Sequence, residues 1–196
     1  MAPDVIHRVI EAHAVRHGSR AAIVGESATV TYHALNSRAN ALARALMRAG
    51  LRRRGHAVVT GEPGVDLVVA LLAVLKTGAS YRWSRGEDAA AHPRVAIRVD
   101  QDVAQDEYLV IDVTPSERRD QPCPNLPVMV RGGDVACLVQ TADGKCQAIS
   151  HASVAARVDD AGTPKAWTDE GTAVPLWMAL MNGATITIST RTAAAA

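Results

Sequence analysis

The chain has 196 residues, 48% of them apolar and 21% charged, with a formal net charge of +1. That length supports one domain with a real core or two small lobes, and the composition is globular rather than disordered. The near-zero charge gives no electrostatic case for nucleic acid or for an anionic membrane surface. Phe is absent and the cysteines number three (Cys123, Cys137, Cys146) with no C-x-x-C pair. An odd count without metal-ligand spacing speaks against a disulfide framework or a zinc site and for reduced thiols in a cytoplasmic protein.

The N-terminal run MAPDVIHRVIEAH carries charges and histidines inside its apolar pattern. It predicts an amphipathic helix rather than a signal peptide, with Asp4 as its cap, Val5, Ile6, Val9 and Ile10 on one face, and Gly18 as the stop. AAIV and ATVTY, on either side of Gly25-Glu26-Ser27, read as a hairpin. Thr31 is placed to cap a long helix whose Leu35, Ala39, Leu42, Ala43, Leu46 and Met47 share a face. Gly50 fits the position after its end, and Arg38, Arg44 and Arg48 read as solvated charges. Ala57–Thr60 is a short buried strand and Val65–Thr77 a helix apolar almost all round. Gly78 ends that helix and Ala79–Trp83 returns as a strand. A strand–helix–strand unit of this kind predicts a parallel pairing covered by helices. The longest apolar stretch, near Val65–Leu75, is too short to span a bilayer.

Farther on, Val95–Val99, Tyr108–Val113 and Val135–Thr141 are strand candidates, and TPSERRDQPCPNLP is a polar connector. Ser150 can cap a short helix to Val158, and DDAGTPKAWTDEG reads as loop. Leu176–Met181 predicts a helix, Asn182-Gly183 a turn and Ala184–Ser189 a last strand. The predicted class is α/β, a mainly parallel sheet flanked by helices.

Three segments resemble one family. Val30-Thr31-Tyr32-His33-Ala34-Leu35-Asn36-Ser37-Arg38-Ala39-Asn40-Ala41-Leu42-Ala43 resembles the first core motif of nonribosomal peptide synthetase adenylation domains, L/V-T-Y-x-E/A-L-N-x-x-A-N-x-L-A. Gly55 and Asp66–Tyr81 resemble the second, which ends L-K-x-G-x-x-Y. Ala173–Ile188 resembles the helix and strand just after the fourth. The resemblance implies the fold of the N-terminal subdomain of adenylate-forming enzymes over residues 1–190, with 191–196 as a frayed tail or cloning scar. An intact member makes an aminoacyl adenylate from ATP and an amino acid, and then loads a carrier-protein thiol.

The phosphate loop of that family reads T-S-G-S-T-G-x-P-K-G, between an Asp and a His. Such a loop works because backbone N–H groups and hydroxyls point at the phosphates, with a lysine as a point charge. The corresponding stretch here runs from Asp134 to His151 and holds only Thr141, Ala142, Asp143, Gly144 and Lys145 where the loop should be. About four residues are missing, and Asp143 brings the wrong sign. At ~4 Å and an effective dielectric of ~20, a like-charge pair costs about 4 kcal/mol.

Other departures accumulate. The V-P-L/I-D that follows the second motif is replaced by Arg82-Trp83-Ser84-Arg85, so Trp83 stands near the former pocket. The fourth motif, F-D-x-S, aligns with Asp169-Glu170-Gly171-Thr172, which leaves Glu170 as a candidate remnant of the substrate-amine site. The ribose-binding Asp, the adenine pocket and the C-terminal catalytic Lys have no counterpart in these residues. Histidines give no alternative chemistry: His13 and His17 at i, i+4 make at most a two-ligand site, and Ser150-His151 lacks the elbow a triad requires.

The expectation is therefore no catalytic residue, no metal, no ATP or Mg²⁺ binding, and a structural or docking role beside condensation or carrier domains or through self-association. The alternatives are one half of a split amino-acid-activating enzyme, completed in trans, and a small-ligand binder that uses the remnant pocket without turnover.

Overall fold

The computed structural model describes residues 4–25, 28–84, 94–98, 108–113, 123–141, 144–158, 166–167 and 173–188. Helix α1 (Ile6–Arg16) turns Ile6, Ile10 and Ala14 inward. Its N-cap is Val5, which makes no side-chain cap bond. Asp4, expected as the cap, lies one residue too early, and its carboxylate sits against Gly132 instead.

Strands β1 (Ala21–Val24) and β2 (Thr29–Thr31) form the expected antiparallel hairpin. Helix α2 (Tyr32–Arg48) starts where Thr31 Oγ1 accepts the Ala34 N–H at 3.2 Å. Leu35, Ala39, Ala43 and Leu46 are fully buried, and Leu42 and Met47 flank them. At its end, Leu51 N–H bonds Leu46 O and Gly50 N–H bonds Met47 O, with Gly50 at a φ of 108° that favours glycine. Arg44 is not a purely solvated charge: its guanidinium reaches Cys123 Sγ at 3.1 Å and pins the connector to α2.

Strand β3 (His56–Thr60), helix α3 (Val65–Thr77) and strand β4 (Ser80–Ser84) make the predicted unit, with β3 and β4 parallel. Every residue of α3 from Leu67 to Thr77 is buried. Such a helix has neighbours on all sides: α2 packs along it, α1 touches it, and β3 and β4 lie beneath it. Gly78 closes it at a φ of 78°.

Strands β5 (Arg94–Arg98) and β6 (Tyr108–Asp112) add antiparallel to the β3 edge. Strand β7 (Val135–Gln140) runs parallel to β4, and β8 (Cys146–Ser150) folds back on it. Helix α4 (His151–Ala155) is capped by Ser150, whose Oγ accepts the Ser153 N–H at 3.1 Å. The stretch read as loop before the last helix contains a two-residue strand, β9 (Ala166–Trp167). Helix α5 (Val174–Met181) and strand β10 (Ile186–Ile188) are the last of the described elements.

The result is two helix-flanked sheets, ordered β2-β1-β10-β9 and β6-β5-β3-β4-β7-β8. Parallel pairing occupies the β3-β4-β7 centre of the larger sheet and the β1-β10-β9 run of the smaller, while hairpins supply the antiparallel margins. Both sheets are therefore mixed. Trp177 and Tyr81, both buried, tie α5 to β4 through an indole N–H donated to the Tyr81 hydroxyl at 2.6 Å. Among the described residues, no helix is long and apolar enough to cross a membrane.

Candidate functional site

The stretch aligned with a phosphate loop is the β7–β8 hairpin. Its base is well fixed. His151 N–H bonds Asp134 O at 3.2 Å and Ala152 N–H bonds Gly132 O at 2.8 Å, so the two sequence anchors Asp134 and His151 meet. The Asp134 carboxylate accepts the Arg131 N–H at 3.0 Å and the Arg53 guanidinium at 3.1 Å. That backbone donor, then Arg53 and Arg54, hold its pKa below the usual carboxylate value. His151 is buried against α1, and its Nδ1 faces the Ile6 N–H at 3.4 Å. Burial drives its pKa down to about 4, against the opposing pull of Asp134 and Asp4, so the ring is neutral at pH 7 and its Nδ1 serves as an acceptor.

The tip is a closed turn. Thr141 N–H donates to Lys145 O at 2.8 Å, and the Thr141 hydroxyl donates to the same oxygen at 2.9 Å. Gly144 N–H donates to Thr141 O at 2.9 Å, with Gly144 at a φ of 80°. Two backbone donors and one hydroxyl thus satisfy the turn itself. Lys145 is exposed beside it. The structure brings Thr141, Gly144 and Lys145 together, whereas Ala142, Asp143 and Glu170 lie outside the described residues.

The other sequence candidates resolve into packing. Trp83 is half-buried and donates its indole N–H to Gly61 O, across from β4 to the end of β3, at 3.0 Å. His13 pairs its Nε2 with Met181 O at 2.8 Å, and its ring lies 6.4 Å from that of His17. Among the described residues, no three His, Cys, Asp or Glu side chains group as a metal site. The cysteines are free there: Cys137 buried, Cys123 half-buried, Cys146 exposed.

Two features escaped the sequence reading. Lys76, the lysine of the second motif, is 1% exposed and donates to Glu11 Oε1 at 2.6 Å; Arg8 holds the other carboxylate oxygen at 2.9 Å. Burial lowers the Lys76 pKa from 10.5 to about 8, outweighing the pull of Glu11 in the other direction. The i, i+3 spacing of Arg8 and Glu11 was visible, but nothing local pointed to a partner 65 residues away. The second feature is a cleft of ≈ 390 Å³ at the other end of β7, lined by Arg54, His56, Ser80 and Asp134 among others.

With this geometry in view, residues 10–85 match the AMP-binding enzyme family. The chain is 42% identical over 76 residues to surfactin synthase subunit 2 of Bacillus subtilis (strain 168), covering 39% of this chain and 2% of that protein. It is 41% identical over 76 residues to tyrocidine synthase 1 of Brevibacillus parabrevis, covering 39% and 7%. Among solved structures, the N-terminal subdomain of Klebsiella oxytoca NpsA superposes with a TM-score of 0.70 at 21% identity, over 94% of this chain and 53% of that one. The nonribosomal peptide synthetase FmoA3, in its AMPPNP-bound form, superposes with a TM-score of 0.71 at 16% identity, over 96% and 23%.

The fold is that of the N-terminal subdomain of an adenylation domain, and residues 10–85 are similar to the AMP-binding enzyme family. The chain spans only a small share of the curated synthetases it matches.

Proposed function

We propose that this chain is a non-catalytic adenylation-like element that serves a peptide-synthesising assembly line as a structural or docking part. The observation that carries the reading is the turn at Thr141–Lys145. A triphosphate cradle needs free N–H groups and hydroxyls converging on one point. Here the N–H groups of Thr141 and Gly144 and the Thr141 hydroxyl already serve carbonyl oxygens of the same turn. Freeing all three to face phosphate would unmake the turn, and the sequence between Thr141 and Gly144 brings a carboxylate, Asp143, of the same sign as phosphate. These residues do not fit ATP·Mg²⁺, and no adenylation step is derived through them.

A docking role is supported by the company such segments keep, since the relatives are synthetase subunits many times longer. The partners proposed are a neighbouring condensation or carrier domain, or a second copy of the chain, in the cytoplasm. Calorimetric titration with ATP and Mg²⁺ tests the catalytic half of the reading, and no saturable heat is expected. Saturable binding, or ATP-dependent pyrophosphate exchange on adding a separately expressed C-terminal adenylation portion, would instead establish a split enzyme. Sedimentation velocity with a condensation domain tests docking: a faster boundary supports it, and two independent boundaries, with the chain itself monomeric, oppose it.

A further inference from the structure

The cleft at the N-terminal ends of β3, β4 and β7 has no part in the reading above. It lies at the opposite end of β7 from the Thr141–Lys145 turn. Its walls are Arg54, His56, Gly78, Ser80, Gly133, Asp134, Val135 and Leu138, and its ≈ 390 Å³ is within the range of small-molecule sites. We propose that this cleft binds a small anionic ligand, a phosphate or carboxylate headgroup, through the Arg54 guanidinium and the Ser80 hydroxyl, with its apolar body against Val135 and Leu138.

Four observations support this. First, the backbone of the cleft is tied together by hydrogen bonds. Arg54 N–H bonds Gly78 O at 2.8 Å and Ser80 N–H bonds Gly55 O at 3.0 Å, which ties the turn before β3 to the start of β4. Second, Arg54 is held in the left-handed region at a φ of 63°, an uncommon conformation for a residue with a side chain. Third, the charges are unequal. Asp134 binds Arg53 closely at 3.1 Å, but Arg54 Nε stands 3.9 Å from its other oxygen and the Arg54 side chain is 70% exposed. Arg54 therefore keeps donors to offer an anion, while the Asp134 carboxylate is engaged by Arg53.

Fourth, the Ser80 hydroxyl lines the cleft beside His56. His56 Nδ1 lies 3.2 Å from Ser80 Oγ, and the hydroxyl's bond to Gly55 O is long, at 3.3 Å. With Nδ1 as the protonated ring nitrogen, His56 donates to Ser80 and the hydroxyl proton is free to swing to a ligand. Burial, then Arg82, lower the His56 pKa, so the ring is neutral at pH 7 and the positive charge here comes from the arginines.

The test is an NMR titration of the ¹⁵N-labelled chain with inorganic phosphate, with ionic strength held constant by chloride. The expected result is a saturable shift centred on the amides of Gly78, Ser80, Gly133 and Val135. Arg54→Asn keeps a residue suited to the left-handed backbone and is expected to raise the half-saturating concentration about ten-fold, the loss of one charge-assisted bond. Ser80→Ala is expected to raise it about three-fold. Phenyl phosphate, which adds an apolar body, is expected to half-saturate at a lower concentration than phosphate. The amide spectrum of each variant reports whether it is folded. Shifts that grow linearly without saturating, that centre elsewhere, or that persist unchanged in folded Arg54→Asn would overturn the assignment.

Discussion

Replacing Lys76 by Met probes the buried charge network at the heart of the helical layer. Lys76 Nζ and Glu11 Oε1 are 2.6 Å apart, with side chains 1% and 7% exposed. Removing one partner of a buried pair typically costs about 3–5 kcal/mol, because the remaining charge is stranded. Arg8 still neutralises Glu11 from 2.9 Å, which points to the low end, about 3 kcal/mol. Removing both charges, as in Lys76→Met with Glu11→Leu, avoids two desolvation penalties and should return stability to within about 1 kcal/mol of the parent. Urea unfolding followed by circular dichroism reads this as a shifted midpoint at unchanged slope.

The pH dependence gives an independent check on the same pair. Lys76 has its pKa lowered to about 8 in the fold, while the unfolded chain keeps the ordinary 10.5. Between those values the unfolded state binds more protons, so stability rises with pH across that window. Lys76→Met should abolish the rise. Single variants costing under about 1 kcal/mol, a double variant as damaged as the sum of the singles, or a flat profile in the parent would refute this account of the network.

Acid should weaken the fold from about pH 6.5 downward, because His7 and His151 are held neutral by burial and the unfolded chain takes up their protons first. His151→Asn should flatten that acid limb in a thermal-melt series, and an unchanged limb would contradict the assignment. Tyr81→Phe deprives the buried Trp177 N–H of its acceptor, so a loss of about 1–3 kcal/mol is expected in urea melts monitored by tryptophan fluorescence. Gly78→Ala places a Cβ 3.0 Å from Arg53 Cγ and 3.1 Å from a Val128 methyl at a φ of 78°. We expect it to cost more than the ~1 kcal/mol of left-handed strain alone, read as a lowered Tm.

Helices α2 and α3 were legible from the sequence because their signals are local. Thr31 caps within three residues, α2 repeats its apolar positions at helical spacing, and Gly78 supplies the left-handed stop of α3. The strand–helix–strand unit then fixed the parallel pairing of β3 with β4. What is decided by distant partners was not legible. The antiparallel addition of β5 and β6 to the β3 edge leaves no mark in their own residues, and the two-residue β9 is too short for any period. Asp4 has the chemistry of a cap, but α1 begins one residue too late for it. Asp134 and His151 stand out in sequence on either side of the β7–β8 hairpin, and the structure joins them by a backbone bond. The cleft on the far side was not readable, because it draws on three separate strand beginnings.

A crystal of the chain grown with excess ATP and Mg²⁺ examines the β7–β8 tip most directly. The account predicts that the Thr141 and Gly144 amides keep their bonds to Lys145 O and Thr141 O, with no nucleotide ordered beside them. A triphosphate lying along Gly144 and Lys145, with those bonds broken to receive it, would contradict the account.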